Sequence, residues 1–104
     1  MTPKDSIAVI FVSRRSEQDE DGYAAAAAEM ERLAHAQPGF LGMESVRGVD
    51  RRGITVAYFA DEASALAWRN HPDHAAARAQ GRALWYDSYD VVVTRVLRSY
   101  GSGA

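Results

Sequence analysis

The chain of 104 residues contains no cysteine. That absence excludes disulfides, thiolate catalysis and cysteine-ligated zinc. It also contains no run of the ~18 consecutive apolar residues that a membrane span needs. Met1 to Ser6 is polar and lacks the apolar stretch and cleavage pattern of a secretory signal, so a cytoplasmic location is the expectation. An excess of positive charge is lacking too. Net charge is -2, and the basic residues are scattered, with Arg14-Arg15 and Arg51-Arg52 the only adjacent pairs. No broad basic field is present to attract nucleic acid, and both pairs read as solvated charges on loops or strand ends. Glycine-rich phosphate loops, a serine-centred nucleophile elbow and a dinucleotide fingerprint are all missing. An enzyme built on this sequence either uses no organic cofactor or takes up a ligand such as haem.

What is present is an ordinary globular balance. Hydrophobic residues make up 47% and charged residues 25%, which argues against disorder. The length suits one domain with a thin core. Ile7 to Val12 is apolar and β-branched, a first strand with Ile7, Val9 and Phe11 on one face and Ala8, Ile10 and Val12 on the other. Ser16 to Gly22 reads as an acidic loop before a helix. Tyr23 to about Gln37 has helical periodicity, with Tyr23, Ala26, Ala27, Met30, Leu33, Ala34 and Gln37 on one face. Pro38-Gly39 ends it. Phe40 to Val49 and Ile54 to Ala60 read as a hairpin turned at Asp50-Arg51-Arg52-Gly53. Asp61 caps a helix from Ala63 to Trp68, and Asn70-His71-Pro72 interrupts it. Pro72 starts a further helix that ends near Gly81. Trp85 to Leu97 reads as a long last strand, with one domain over residues 1–98 and a small flexible tail over 99–104.

Strand, helix, strand, strand, helix, strand is the ferredoxin-like βαββαβ plan of the α+β class, with an antiparallel sheet. Two helices cover one face of such a sheet. The first and last strands are apolar on both faces, so the second face needs a cover. A second copy of the chain, docked through the sheet by a twofold axis, is the simplest one.

The densest group of chemically unusual residues is Trp68, Asn70, His71, His74, Arg78, Trp85, Tyr86 and Tyr89. His71 and His74 are three apart and can share a helix face, but a metal site wants a third ligand, and no spacing supplies one. His74 suits a general base or hydrogen-bond partner, since histidine exchanges protons near neutrality. His71 suits the cap before Pro72. Trp68, Trp85 and Tyr86 suit core or interface packing. Beside Asn70 and Arg78, they also suit the walls of a site for a flat aromatic ligand, to which Tyr58 or Phe59 can add.

Pro38-Gly39-Phe40, Tyr58-Phe59, Asp61-Glu62-Ala63, Trp68, His71-Pro72, His74, Gly81-Arg82 and Trp85-Tyr86, in that order, resemble the antibiotic-biosynthesis monooxygenase-like domains. The likeness runs from about Ile7 to Arg98. It implies a dimeric α+β barrel, in which two ferredoxin-like sheets pack face to face. It also implies a choice of functions. Some such proteins oxidise quinols or anthrone-like polyketides with O2 and without metal or flavin; others bind or degrade haem. For the first chemistry, His74 or His71 would take a proton while Asn70, Arg78 or Tyr86 holds an oxyanion. Trp68, Trp85 and Phe59 would wall the substrate. For the second, Trp68 matches the tryptophan of the haem-degrading branch. That branch's histidine falls near Arg78, and its asparagine is missing from Ile7 to Ser13. A non-catalytic dimer that binds an aromatic metabolite is the third reading.

Overall fold

The computed structural model describes residues 2–102. Met1 of the expected domain, and Gly103 and Ala104 of the expected tail, lie outside the described residues. The first strand, β1, spans Ile7–Arg15, three residues beyond the apolar run. Helix α1 (Glu20–His35) starts earlier than its apolar stripe. Asp19 sets that start, because its side chain accepts a hydrogen bond from the Gly22 amide at 3.2 Å and Glu20 and Asp21 fill the first turn. Strands β2 (Phe40–Arg47) and β3 (Arg52–Phe59) form the hairpin. Helix α2 (Glu62–Arg69) is capped by Asp61, which accepts from the Ser64 amide at 2.7 Å. Helix α3 (Pro72–Gln80) begins on proline, as expected, with His71 as its cap. A π-helical turn over Gly81–Trp85 leads into β4 (Tyr86–Arg95).

Two elements differ from the sequence expectation, each for a local reason. The hairpin turns at Gly48 to Arg51, not at Asp50 to Gly53, and Arg51 takes the left-handed conformation at φ 70. Gly53 sits inside β3 instead. A β-carbon there would lie 2.5 Å from the Arg47 guanidinium carbon, so the glycine makes room for that side chain. Trp85 belongs to the π turn and not to the last strand. Gly39 is required twice over: its φ is +80, and a β-carbon would lie 2.3 Å from the Ser64 hydroxyl.

The strands pair antiparallel throughout, in the order β2-β3-β1-β4. Successive side chains alternate between the two faces of the sheet. Ile7, Phe59, Ala34 of α1 and Trp68 of α2 form the core, with Val9, Met30, Leu33, Phe40, Ala57 and Ala65 packed around it. The helices therefore lie on the Ile7–Val9–Phe11 side. The opposite face carries Ala8, Ile10 and Val12, aligned with Tyr58, Val56 and Ile54 of β3 and with Thr94, Val92 and Asp90 of β4. No helix covers it. Val46 is 71% exposed there and Val92 52%. Single apolar residues on a surface need no explanation, but a contiguous sheet face does.

Arg15 holds one corner together. Counting by twos from Ile7 puts it on the helix side, and it is only 2% exposed. Its guanidinium donates to the Trp85 carbonyl, to the Gln18 carbonyl at 3.4 Å and to Glu20 at 3.1 Å, and it covers the Tyr23 ring at 4.0 Å. Ser16 adds a bond from its hydroxyl to the Leu84 carbonyl at 2.7 Å. The end of β1 is thereby tied to the π turn. Arg15→Ala removes a buried charged donor from the Trp85 carbonyl, which keeps only its bond from the Ser16 amide, and is expected to cost about 2–3 kcal/mol. Urea denaturation followed by tryptophan fluorescence measures it. A loss no larger than that of the exposed Arg98→Ala would show that the corner does not depend on this side chain.

Candidate functional site

The residues singled out in the sequence fall into two groups. Trp68 anchors the first. Its indole is buried in the core, while its outer face stacks on the His74 ring at 4.4 Å and an interplanar angle of 9°. His71 leans on the same indole at 5.5 Å. The three are brought together by the break at Pro72, which folds α3 back so that the first turn of α3 meets the last turn of α2. His74 Nδ1 lies 3.0 Å from the Trp68 carbonyl oxygen. A carbonyl can only accept, so the contact places the proton on Nδ1 and leaves Nε2 with a free lone pair. Burial lowers the His74 pKa. The bond to Trp68 opposes that shift, and the charges of Arg78, His71 and Arg69 reinforce it. His74 is thus a neutral imidazole near pH 7, held in one tautomer.

The other members of this group have structural occupations. His71 Nδ1 accepts from the Asp73 amide at 3.2 Å and caps α3. Asn70 is the exposed C-cap of α2. Arg78 donates to the Arg69 carbonyl at 3.2 Å, which ties α3 to α2. Phe59 is fully buried beneath Trp68 in the core and forms no part of an accessible surface. Among the described residues, no three of His, Asp and Glu come together as a metal site would need.

The second group surrounds Tyr86. Its ring meets Phe11 at 5.2 Å and Tyr23 at 5.9 Å, both edge to face, and Tyr89 at 6.2 Å. Trp85 packs on Tyr23 at 5.8 Å and donates its indole N–H to Asp19 at 3.1 Å. Burial raises the Tyr86 pKa, and the Tyr23 phenol raises it further, so Tyr86 stays a protonated hydrogen-bond donor. Sequence reasoning did not assign Phe11 and Tyr23 to a site. The signal was there, since β1 alternation puts Phe11, and α1 periodicity puts Tyr23, on the side facing the other.

Helix α3 spans the two groups. His74, Ala77, Arg78 and Gly81 lie at helical spacing along one side. A β-carbon at Gly81 would lie 2.8 Å from the Tyr86 ring. Seven residues at the helical rise put the two ends about 10 Å apart. The helix-side face of β4 is open: Tyr89 is 41% exposed, Val91 51% and Val93 58%. An apolar strip thus runs along β4 from the Tyr86–Tyr89 pair, while His74 stands two helical turns before Gly81, which packs on Tyr86. Two hollows lie elsewhere. One of 380 Å³ is lined by Arg14, Arg51, Asp50 and Asp87 among others, and one of 260 Å³ by Val12, Val46, Arg52 and Ile54 with two glycines on the uncovered face.

Comparison with known proteins adds a family. Protein YqjZ of Bacillus subtilis (strain 168), an uncharacterized protein, is 52% identical over 91 residues, covering 88% of this chain and 79% of YqjZ. Among solved structures, Rv0793 from Mycobacterium tuberculosis superposes with a TM-score of 0.80 at 16% identity, over 92% of this chain and 99% of that one. SnoaB from Streptomyces nogalater, described as a cofactor-independent oxygenase, superposes with a TM-score of 0.76 at 14% identity, over 91% and 96%. These distant likenesses establish the fold. The model of the antibiotic biosynthesis monooxygenase family matches residues 6–80, from the start of β1 through the end of α3, which includes Trp68 and His74 and stops short of Tyr86. This chain belongs to the antibiotic biosynthesis monooxygenase family.

Proposed function

We propose that the protein is a homodimeric, cofactor-independent monooxygenase that oxidises a small electron-rich aromatic, quinol or polyketide-like compound with O2. The observation that carries this reading is the locked His74 imidazole, neutral and with its Nε2 lone pair free. Family membership and the likeness to a cofactor-independent oxygenase support it. The dimer rests on the uncovered apolar face of the sheet.

The chemistry asks little of the protein. His74 Nε2 takes a proton from a carbon or phenol oxygen whose anion is delocalised over the ring system. Tyr86, kept protonated by burial, donates to the oxygen where the negative charge gathers. The anion passes one electron to O2, and the resulting radical pair joins through a new C–O bond. The peroxide anion recovers the proton from His74. At a CH2 carbon, the second hydrogen then leaves with the terminal OH as water, so CH2 becomes C=O. Both electrons that reduce the second oxygen atom come from the substrate. Asn70, Arg78 and His71, occupied at caps and tethers, are not needed in these steps, and Trp68 positions His74. Phe59 supports Trp68 from below. Trp85 braces Tyr23 behind the site.

The residues present do not fit the haem-degrading arrangement. Arg78, near the expected position of that branch's histidine, is a cation engaged with a backbone carbonyl, and β1 holds no asparagine. Haemin titration separates the readings, because a saturable Soret band would favour haem.

Oxygen uptake with a panel of quinols and anthrone-like phenols tests the activity. His74→Ala is expected to lower turnover about 100-fold or more, the usual share of a general base, while His71→Ala keeps most of it. Equal losses would remove His74 from its role. No uptake with any member of the panel would leave aromatic binding as the better account.

The same histidine predicts an acid limb of stability. The unfolded chain holds His74 near the ordinary ~6.5, and the fold lowers it, so the unfolded state binds the proton at higher pH. Stability is full above that unfolded value and is lost as pH falls through the folded one. His74→Phe keeps a ring on Trp68 but cannot titrate. Wild type is expected to lose more of its urea midpoint between about pH 7 and about pH 5 than His74→Phe does. Parallel losses would show that His74 contributes no linkage.

A further inference from the structure

The uncovered sheet face is largely apolar and carries four charges. The pairing of the strands places Arg14 of β1 directly opposite Arg52 of β3 at one end of that face. Asp90 of β4 stands opposite Val12, and Glu44 of β2 opposite Val56. All four are exposed, and among the described residues none of them enters an ion pair within the chain. Two cations directly opposite one another on a sheet are destabilising on their own. Two arginines and two acids make the face neutral and self-complementary.

We propose that Arg14 pairs with an acid of a second copy of this chain, Asp90 or Glu44, and that this pairing fixes the two sheets at a near-right-angle crossing. The inference rests on the sheet-face homodimer proposed above and adds its geometry. Stacked sheets cross either nearly aligned or nearly at right angles. The face can be written as four rows across the order β4-β1-β3-β2. The first row holds Ser88, Arg14 and Arg52, and the second Asp90, Val12, Ile54 and Val46. The third holds Val92, Ile10, Val56 and Glu44, and the last Thr94, Ala8, Tyr58 and Gly42. A twofold axis along the strands would lay the Arg14–Arg52 row on the partner's Arg14–Arg52 row, gathering four like charges. An axis across the strands would lay it on the Ala8–Tyr58 row, with no acid to meet. An axis along either diagonal exchanges rows with strands. One diagonal then brings Arg14 over Asp90, the other over Glu44. Symmetry forms each contact twice. A charge covered without a partner costs far more than it returns, and this pairing spares Arg14 and one acid of each copy that cost.

Sedimentation velocity at a series of concentrations tests the pairing. Wild type is expected to be dimeric at micromolar concentration, and Arg14→Asp to raise the dimer dissociation constant at least tenfold. Adding Asp90→Arg or Glu44→Arg to Arg14→Asp should restore the dimer, and the one that does identifies the diagonal. Circular dichroism confirms that each variant is folded. A wild-type monomer would overturn the sheet-face dimer itself. A dimer that Arg14→Asp leaves intact, or one that neither acid reversal rescues, would overturn the pairing and leave the dimer standing.

Discussion

Trp68 belongs to the core and to the candidate site at once. Its indole closes the cluster of Ile7, Ala34 and Phe59, so its position is fixed by the packing of α1 and α2 on the sheet. Its outer face and its carbonyl are what His74 sees. Helix α3 has no buried residue of its own. It is held by this stack, by the bond to the Trp68 carbonyl and by the Arg78 tether. The imidazole therefore inherits the rigidity of the core, although it sits on a helix that contributes little to that core. A tautomer fixed by a backbone carbonyl is a precise device, because the carbonyl cannot move without moving Trp68.

A second constraint shapes everything outside the core. Four strands offer two apolar faces, and the helices lie on one of them without covering β4. The uncovered part of the helix side runs along Tyr89, Val91 and Val93, beginning beside Tyr86. The other face, with Val46, Ile54 and Val92 open, becomes the surface on which a second copy is expected to dock. Both features follow from the same shortage of helical cover. The corner at Arg15 lets β4 stand clear of the helices without coming loose, since it ties the π turn ahead of β4 to the end of β1.

The plan of the fold was legible in the sequence because each element carried its own signal: β-branched runs for the strands, the alanine-rich stripe for α1, Asp61 and Pro72 for the helix starts. The misplacements have physical causes. Gly53 looked like turn chemistry, yet its missing side chain serves the Arg47 guanidinium packed against β3. Trp85 looked like the first residue of an aromatic strand, but Arg15 bonds to its carbonyl and holds it in a π turn. Arg15 itself read as a solvated charge. Only its parity with Ile7, four inward positions earlier, hinted that it would be buried.

The candidate site was legible in its residue types and not in its arrangement. The sequence grouped His71 with His74 and Trp68 with Trp85. Packing keeps both histidines on the Trp68 indole but gives His71 to a helix cap, moves Trp85 away to Tyr23, and brings in Phe11 and Tyr23 from distant elements. Long-range pairings of this kind leave no local pattern. The claim on which the account turns is the state of one imidazole. A 15N–1H correlation spectrum of the histidine side chains at neutral pH reads it directly. A neutral His74 ring protonated on Nδ1, with Nε2 bare, is expected. A ring protonated on Nε2 alone, or a doubly protonated imidazolium, would contradict it.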